Sequence, residues 1–321
     1  MAASSLNGIS VSLDELIGLR GQGIGLSLAA GQGSASLMSG AYRSPFRGRG
    51  MDFEEVRGYQ PGDDIRRMDW RVTARTNRPH TKLFREERER PVLLCVDSGA
   101  NMRFGTRVAF KSVQAVRSAA LLGWAALENH DRIGTLIFSG GASLEARPAG
   151  GKRALLNCLH MLTAASAPDA PGAINPSQLS NTLLRVRQLA RHGCLVIVIS
   201  DFSSLDAEAE QQLAALAQHN EVMAIRIHDA LEAELPPPDQ YAFSDGSHTH
   251  TLWTTDATLR ARYQREFMTR SDYLAAFCRS HRIHWLSMST DQDPGAVLQH
   301  HLPHVRHSRY SARRATDAAA L

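Results

Sequence analysis

Two apolar runs in this chain end on a carboxylate: PVLLCVD closes on Asp97 and CLVIVISD closes on Asp201. A buried strand that finishes on aspartate delivers that group to the C-terminal edge of a parallel sheet, where open α/β proteins gather their sites. If the two strands are neighbours, the carboxylates converge, and two of them at one edge suit a hard cation such as Mg²⁺, which takes oxygen ligands. The loop after Asp97, DSGANMRFGT, adds Ser98 and Asn101, and Ser177 and Ser180 precede a later helix and approach from a third side. The same aspartates serve equally well as caps that accept the free N–H groups opening the next helix. Spacing alone leaves both readings open.

A second cluster lies in RGYQPGDDIRRMDWRVTAR, Arg57 to Arg75, where Asp63, Asp64 and Asp69 stand among Arg57, Arg66, Arg67, Arg71 and Arg75, beside Trp70. Pro61 presets one backbone angle of a turn and Gly62 permits the next, which fixes the two aspartates just beyond it. Guanidinium groups at this spacing reach carboxylates in bidentate pairs. The segment is therefore an internal ion-pair network or a partner-binding surface. No nearby His or Cys completes a reacting set. His300, His301, His304 and His307 suggest a metal, but Pro303 interrupts their helix and no acidic residue lies among them.

The whole chain sets limits on these readings. Its 321 residues suffice for one large domain or two modest ones, and a net charge of +4 is too small to argue for nucleic acid. Cys95, Cys158, Cys194 and Cys278 form no CxxC pair, and Cys95 and Cys194 sit inside apolar runs, as buried reduced thiols do. The N-terminus lacks a basic region followed by an apolar core, and the small-residue stretch Gly18–Gly40 is broken by Gly, Gln and Ser. A cytoplasmic protein without a membrane span is expected.

The elements that must position these groups follow a regular alternation from Pro91 onward. Strands are expected at Pro91–Asp97, Ile133–Phe138, Cys194–Ser200, Val222–Ile227 and Ile283–Met288. Helices are expected at Arg107–Asn129, Lys152–Ala165, Leu179–Ala190, Asp206–His219 and Thr258–Ser280. Apolar strands alternating with helices predict a mostly parallel sheet covered on both faces. Leu235–Ser247 reads as an extension with a hairpin-like turn. Before Pro91, SLDELIGLR is a short amphipathic helix, GQGIGL is irregular or loosely helical chain, and Thr81–Phe84 carries a weak strand signal. The expected organisation is an extension over residues 1–90 packed on the core, a domain over 91–302, and a disordered basic tail over 303–321.

The ordered strings GRGMDFEEVRGYQPGDDIRRMDWRVTAR, VDSGANMRFGTR and VISDF resemble the bacterial family called domain of unknown function 58. The likeness continues through KSVQAVRSAALLGWAAL, DRIGTLIF and HDALEAELPPP. The family's core is similar to a von Willebrand factor A domain, whose metal-ion-dependent adhesion site uses a DxSxS loop, a threonine and a further aspartate. That resemblance places Asp97 at the first aspartate, Ser177 at the threonine and Asp201 at the last position. Asn101 replaces one loop serine, and Gly99 removes the other ligand outright. A degenerate site follows, empty or weakly binding Mg²⁺. The family resemblance further implies a non-enzymatic adaptor, partner of a MoxR-type AAA+ ATPase in chaperone-like maturation of client proteins. The competing classes are a metal-dependent hydrolase or nuclease using Asp63, Asp64, Asp97 and Asp201, and nucleic-acid binding by the Arg-rich segment. The second of these is opposed by acidic residues throughout Asp52–Glu89.

Overall fold

The computed structural model describes residues 8–26, 28, 51–60, 65, 68–86, 89–139, 142–167, 178–244 and 249–302. Met1–Gln32 and Arg90–Leu321 form one compact unit, and Gly33–Glu89 forms a second. The larger unit opens with α1 (Leu13–Gly18), capped by the Ser12 hydroxyl, and α2 (Arg20–Gly23). This corrects the expected 1–90 extension, because Leu16 and Leu28 are fully buried in the main core. Trp124 Nε1 donates to the Leu16 carbonyl at 2.9 Å, and Arg117 pairs with Glu15 at 2.7 Å. The stretch GQGIGL, expected to be irregular or loosely helical, contributes to α2; a Cβ on Gly23 would lie 2.7 Å from the Trp124 Cβ, so only glycine allows this approach.

In the smaller unit, β1 (Met51–Gly58) pairs antiparallel with β2 (His80–Glu86), and α3 (Trp70–Thr76) lies between them in sequence. The strand signal at Thr81–Phe84 therefore belongs to a hairpin of this unit.

The central sheet comprises β3 (Pro91–Asp97), β4 (Arg132–Ser139), β5 (Ala142–Ala149), β6 (Leu195–Ser200), β7 (Glu221–His228) and β10 (His284–Ser289). Its spatial order is β10-β7-β6-β3-β4-β5, parallel throughout except for the antiparallel edge strand β5. The chain thus begins in the middle, winds out through β4 to β5, then returns to wind the other way through β6 and β7. The reversal falls between β3 and β6, and a crevice opens at such a point beyond the strand ends.

Alternation along β3 separates two cores. Val92, Leu94 and Val96 join α4 (Lys111–Glu128) and α5 (Lys152–Ala165) on one face. Leu93 and Cys95 join α6 (Gln178–Leu189), α7 (Ala207–Ala217) and the later α9 on the other. After β7 come α8 (Ala230–Ala233), the antiparallel hairpin of β8 (Gln240–Ser244) and β9 (Thr249–Trp253), and α9 (Ala257–Ser280). A last helix, α10 (Pro294–His301), begins on a proline behind the Asp293 cap and ends before Pro303. The four cysteines are buried free thiols. No helix among the described residues is long and apolar enough to cross a membrane.

Candidate functional site at the sheet edge

Because β3 and β6 are direct parallel neighbours, with Val96 opposite Ile199, Asp97 and Asp201 emerge side by side at the crevice. Both are nearly buried, at 8% and 7% exposure. Asp97 accepts from the Gly99 N–H at 2.9 Å and from the Ser200 hydroxyl at 2.6 Å. Burial, offset in part by these two hydrogen bonds, pushes its pKa up to about 6. Asp201 accepts from the Ser203 N–H at 2.8 Å and from the Lys111 ammonium at 2.9 Å. Burial alone would raise the Asp201 pKa, but the Lys111 charge and the hydrogen bonds from Lys111 and Ser203 together outweigh it and hold the carboxyl below its usual range.

Lys111, the first residue of α4, is 1% exposed and also donates to Glu232 Oε1 at 2.7 Å. Burial works against its charge, yet Asp201 and Glu232 together raise its pKa. The other Glu232 oxygen accepts from the Asp229 N–H at 2.8 Å, the reciprocal half of a capping box that opens α8. Asp229, fully buried, receives the Thr106 hydroxyl at 2.6 Å and the Thr106 N–H at 3.0 Å, and Thr290 donates to it as well. These bonds tie the loop after β3 to the ends of β7 and β10. Within that loop a Cβ on Gly105 would fall 2.1 Å from the Ala109 carbonyl oxygen, so its tight fold requires glycine.

Phe202 follows Asp201 with φ of 55° although its ring is buried, a strained conformation for a bulky residue. Its N–H donates to Ser200 Oγ at 3.1 Å, and Arg270 from α9 donates to its carbonyl at 2.7 Å. Beside this cluster a cavity of about 870 Å³ opens at the same edge, lined by Thr106, Arg107, Leu231, Pro237, Tyr241 and Arg260 among others. The Arg107 side chain is 68% exposed, with Asp291 at 3.6 Å.

Of the residues expected at this edge, Asp97, Asn101 and Asp201 are brought together. Asn101 is exposed and donates to Ser203 Oγ at 3.0 Å, which joins the two aspartate loops. Ser180 is buried in α6, and Ser177 lies outside the described residues. Among the described residues these groups do not fit a divalent cation. Both Asp97 oxygens and both Asp201 oxygens already accept protein donors, and Gly99 offers no side chain. Among the described residues no group of three His, Cys, Asp or Glu side chains is placed to hold a metal. Sequence reasoning missed Lys111, Glu232, Asp229, Thr106 and Ser200. The legible signals were a lysine opening an otherwise apolar helix and the spacing Asp229-x-x-Glu232.

The Arg-rich cluster is only partly described. Asp63, Asp64, Arg66 and Arg67 lie outside the described residues, and Arg57 falls in β1. Asp69 is the N-cap of α3, accepting from the Arg71 and Val72 N–H groups at 3.0 and 3.1 Å. Trp70 is 66% exposed, and Arg71 and Arg75 are exposed on the same helix.

Sheet order and paired strand-end aspartates define a mostly parallel α/β domain whose edge is wired by hydrogen bonds. The chain belongs to the family described as "Protein of unknown function DUF58", which matches residues 55–273. It is similar to "Uncharacterized protein Rv1480" of Mycobacterium tuberculosis, 31% identical over 269 residues that cover 84% of each chain. Among solved structures it is similar to the conserved hypothetical protein BatB from Bacteroides thetaiotaomicron, at 12% identity and a TM-score of 0.42. That likeness covers 65% of this chain and 96% of the other. The SpRpn10 VWA domain is 11% identical with a TM-score of 0.36, covering 66% of this chain and 94% of its own.

Proposed function

We propose that the chain is a non-enzymatic protein–protein adaptor that works with a MoxR-type AAA+ ATPase on client proteins. The observation that carries this reading is the 870 Å³ cavity beside the aspartate loops, with an exposed guanidinium from Arg107 and a half-buried one from Arg260. Clefts at the strand ends of open α/β sheets receive ligands, and paired guanidinium groups favour a carboxylate. A partner segment carrying Asp or Glu docks there, its charge received by arginine where an adhesion-type site would use a bridging metal. The partner's identity rests on the family resemblance.

Calorimetry with a purified MoxR-type ATPase tests this. Arg107→Glu with Arg260→Glu should weaken association at least tenfold while the melting curve of Arg107→Glu alone stays near wild type. Unchanged association of the double variant removes the cleft from the interface. Metal-dependent phosphatase, nuclease or peptidase turnover that is abolished by Asp97→Ala would replace the adaptor with an enzyme.

A further inference from the structure

We infer that Lys111 stands where a divalent cation would otherwise join the edge loops, so that its ammonium is a permanent, covalently held replacement for a metal. A bridging cation at this edge would neutralise carboxylates from different loops and fix those loops to one another. Lys111 does both. It joins Asp201, which follows β6, to Glu232 in α8, which follows β7, at 2.9 and 2.7 Å. Its position is set from the backbone outward: the Lys111 N–H donates to the Phe104 carbonyl at 2.8 Å, and its ammonium lies 6.0 Å from the Phe104 ring centre.

The carboxylates are equally constrained. Asp201 is held by Ser203 and Glu232 by the Asp229 N–H, so both stay aimed at one point whether or not the ammonium is there. Arg226, at 6% exposure, also acts on both carboxylates; it is held by Ser271 at 2.6 Å and stacked 4.5 Å from the Phe267 ring centre. Without Lys111, Asp201 and Glu232 would keep this more distant guanidinium but lose the ammonium that bridges them. Oxygens held about an ammonium at hydrogen-bond distance need to contract by roughly 0.7 Å to ligate Mg²⁺ or Mn²⁺. This inference concerns the same edge as the adaptor reading but needs no partner, so each stands or falls separately.

The test is Mn²⁺ binding by the full chain, read by electron paramagnetic resonance at about 1 mM metal and by melting temperature. Wild type should bind no Mn²⁺ and melt unchanged in its presence. Lys111→Ala should melt lower, bind Mn²⁺, and recover part of the loss when Mn²⁺ is added. Lys111→Met, which fills the same space without charge, should melt lower with no recovery. Mn²⁺ bound by wild type and lost in Asp201→Asn overturns the inference. So does a folded Lys111→Ala that gains no Mn²⁺. If Lys111→Ala does not fold, Lys111→Ser, which keeps both facing carboxylates and adds a small hydroxyl, carries the same decision: gain of Mn²⁺ over wild type supports the replacement, and no gain overturns it.

Discussion

Lys111 and Asp201 lie 90 positions apart in sequence and meet at 2.9 Å with 1% and 7% of their side chains exposed. The pair links the start of the central helix to the end of a central strand. Removing one partner from a buried pair strands the other charge, and the cost is about 3–5 kcal/mol. Asp201→Ala leaves Lys111 with Glu232 alone and should lower the unfolding free energy by up to about that amount, read as a lower urea midpoint at constant slope. A midpoint within error of wild type would mean that water reaches Lys111. A loss of partner binding by this variant thus reports on folding as well as docking, which is why the cleft arginines are the cleaner probes.

Asp97 makes stability depend on pH in the opposite sense to a salt-bridged acid. Its carboxyl titrates at about 6 when folded against 3.8 as a free group, a difference worth about 3 kcal/mol. Between these values the folded state holds a proton that the unfolded state releases. The cost of ionising Asp97 is fully present above about pH 6 and disappears as pH falls toward about 4. Asp97→Asn mimics the protonated form, so its stability relative to wild type should be higher at about pH 8 than at about pH 4. Urea titrations of both proteins at the two pH values check this; equal differences would show that the carboxyl is hydrated.

The N-terminal helix is part of the core. Leu16 is 0% exposed, and its carbonyl receives the Trp124 indole. Leu16→Ala should cost about 2–5 kcal/mol, as for other buried leucines. The exposed Ile17, on the same helix at 38%, should tolerate alanine within about 1 kcal/mol. Equal effects of the two would indicate that this segment is not docked as described.

In the Arg-rich unit, Asp69→Ala deletes an N-cap and should cost about 1 kcal/mol. Arg71→Ala and Arg75→Ala, on exposed side chains, should fall within about 0.5 kcal/mol. Thermal melts of the three decide it, and a large loss from either arginine would restore the buried ion-pair network at these positions.

The sheet was legible because its inner strands are apolar on both faces, and a run such as LVIVIS has few other homes. Lys152–Ala165 was legible from periodicity and matches α5. The edge strand β5 was not. ASLEARPA carries Glu145, Arg147 and Pro148, the residues that protect an exposed edge from pairing, and they erase the apolar signal. Its Glu145 instead meets Arg185 of α6 at 3.0 Å. The aspartates of the edge were visible as strand ends, but their true partners were not. Lys111 reaches Asp201, and Glu232 reaches Lys111, only after three crossovers have been laid down, so the local signals at these residues do not reveal that they meet.

The two faces of the sheet also carry separate reporters of opening. Cys158 sits in the core beside α4, whereas Cys95, Cys194 and Cys278 sit in the opposite core. Burial pushes Cys158 up to about 11 and Cys194 and Cys278 up to about 12, with Cys95 raised further still. Alkylating reagents attack the thiolate, so the closed protein is silent toward them. Each alkylation then records a moment when one particular half of the interior met water. Mass-resolved labelling would time the two halves independently, without introducing a single foreign probe.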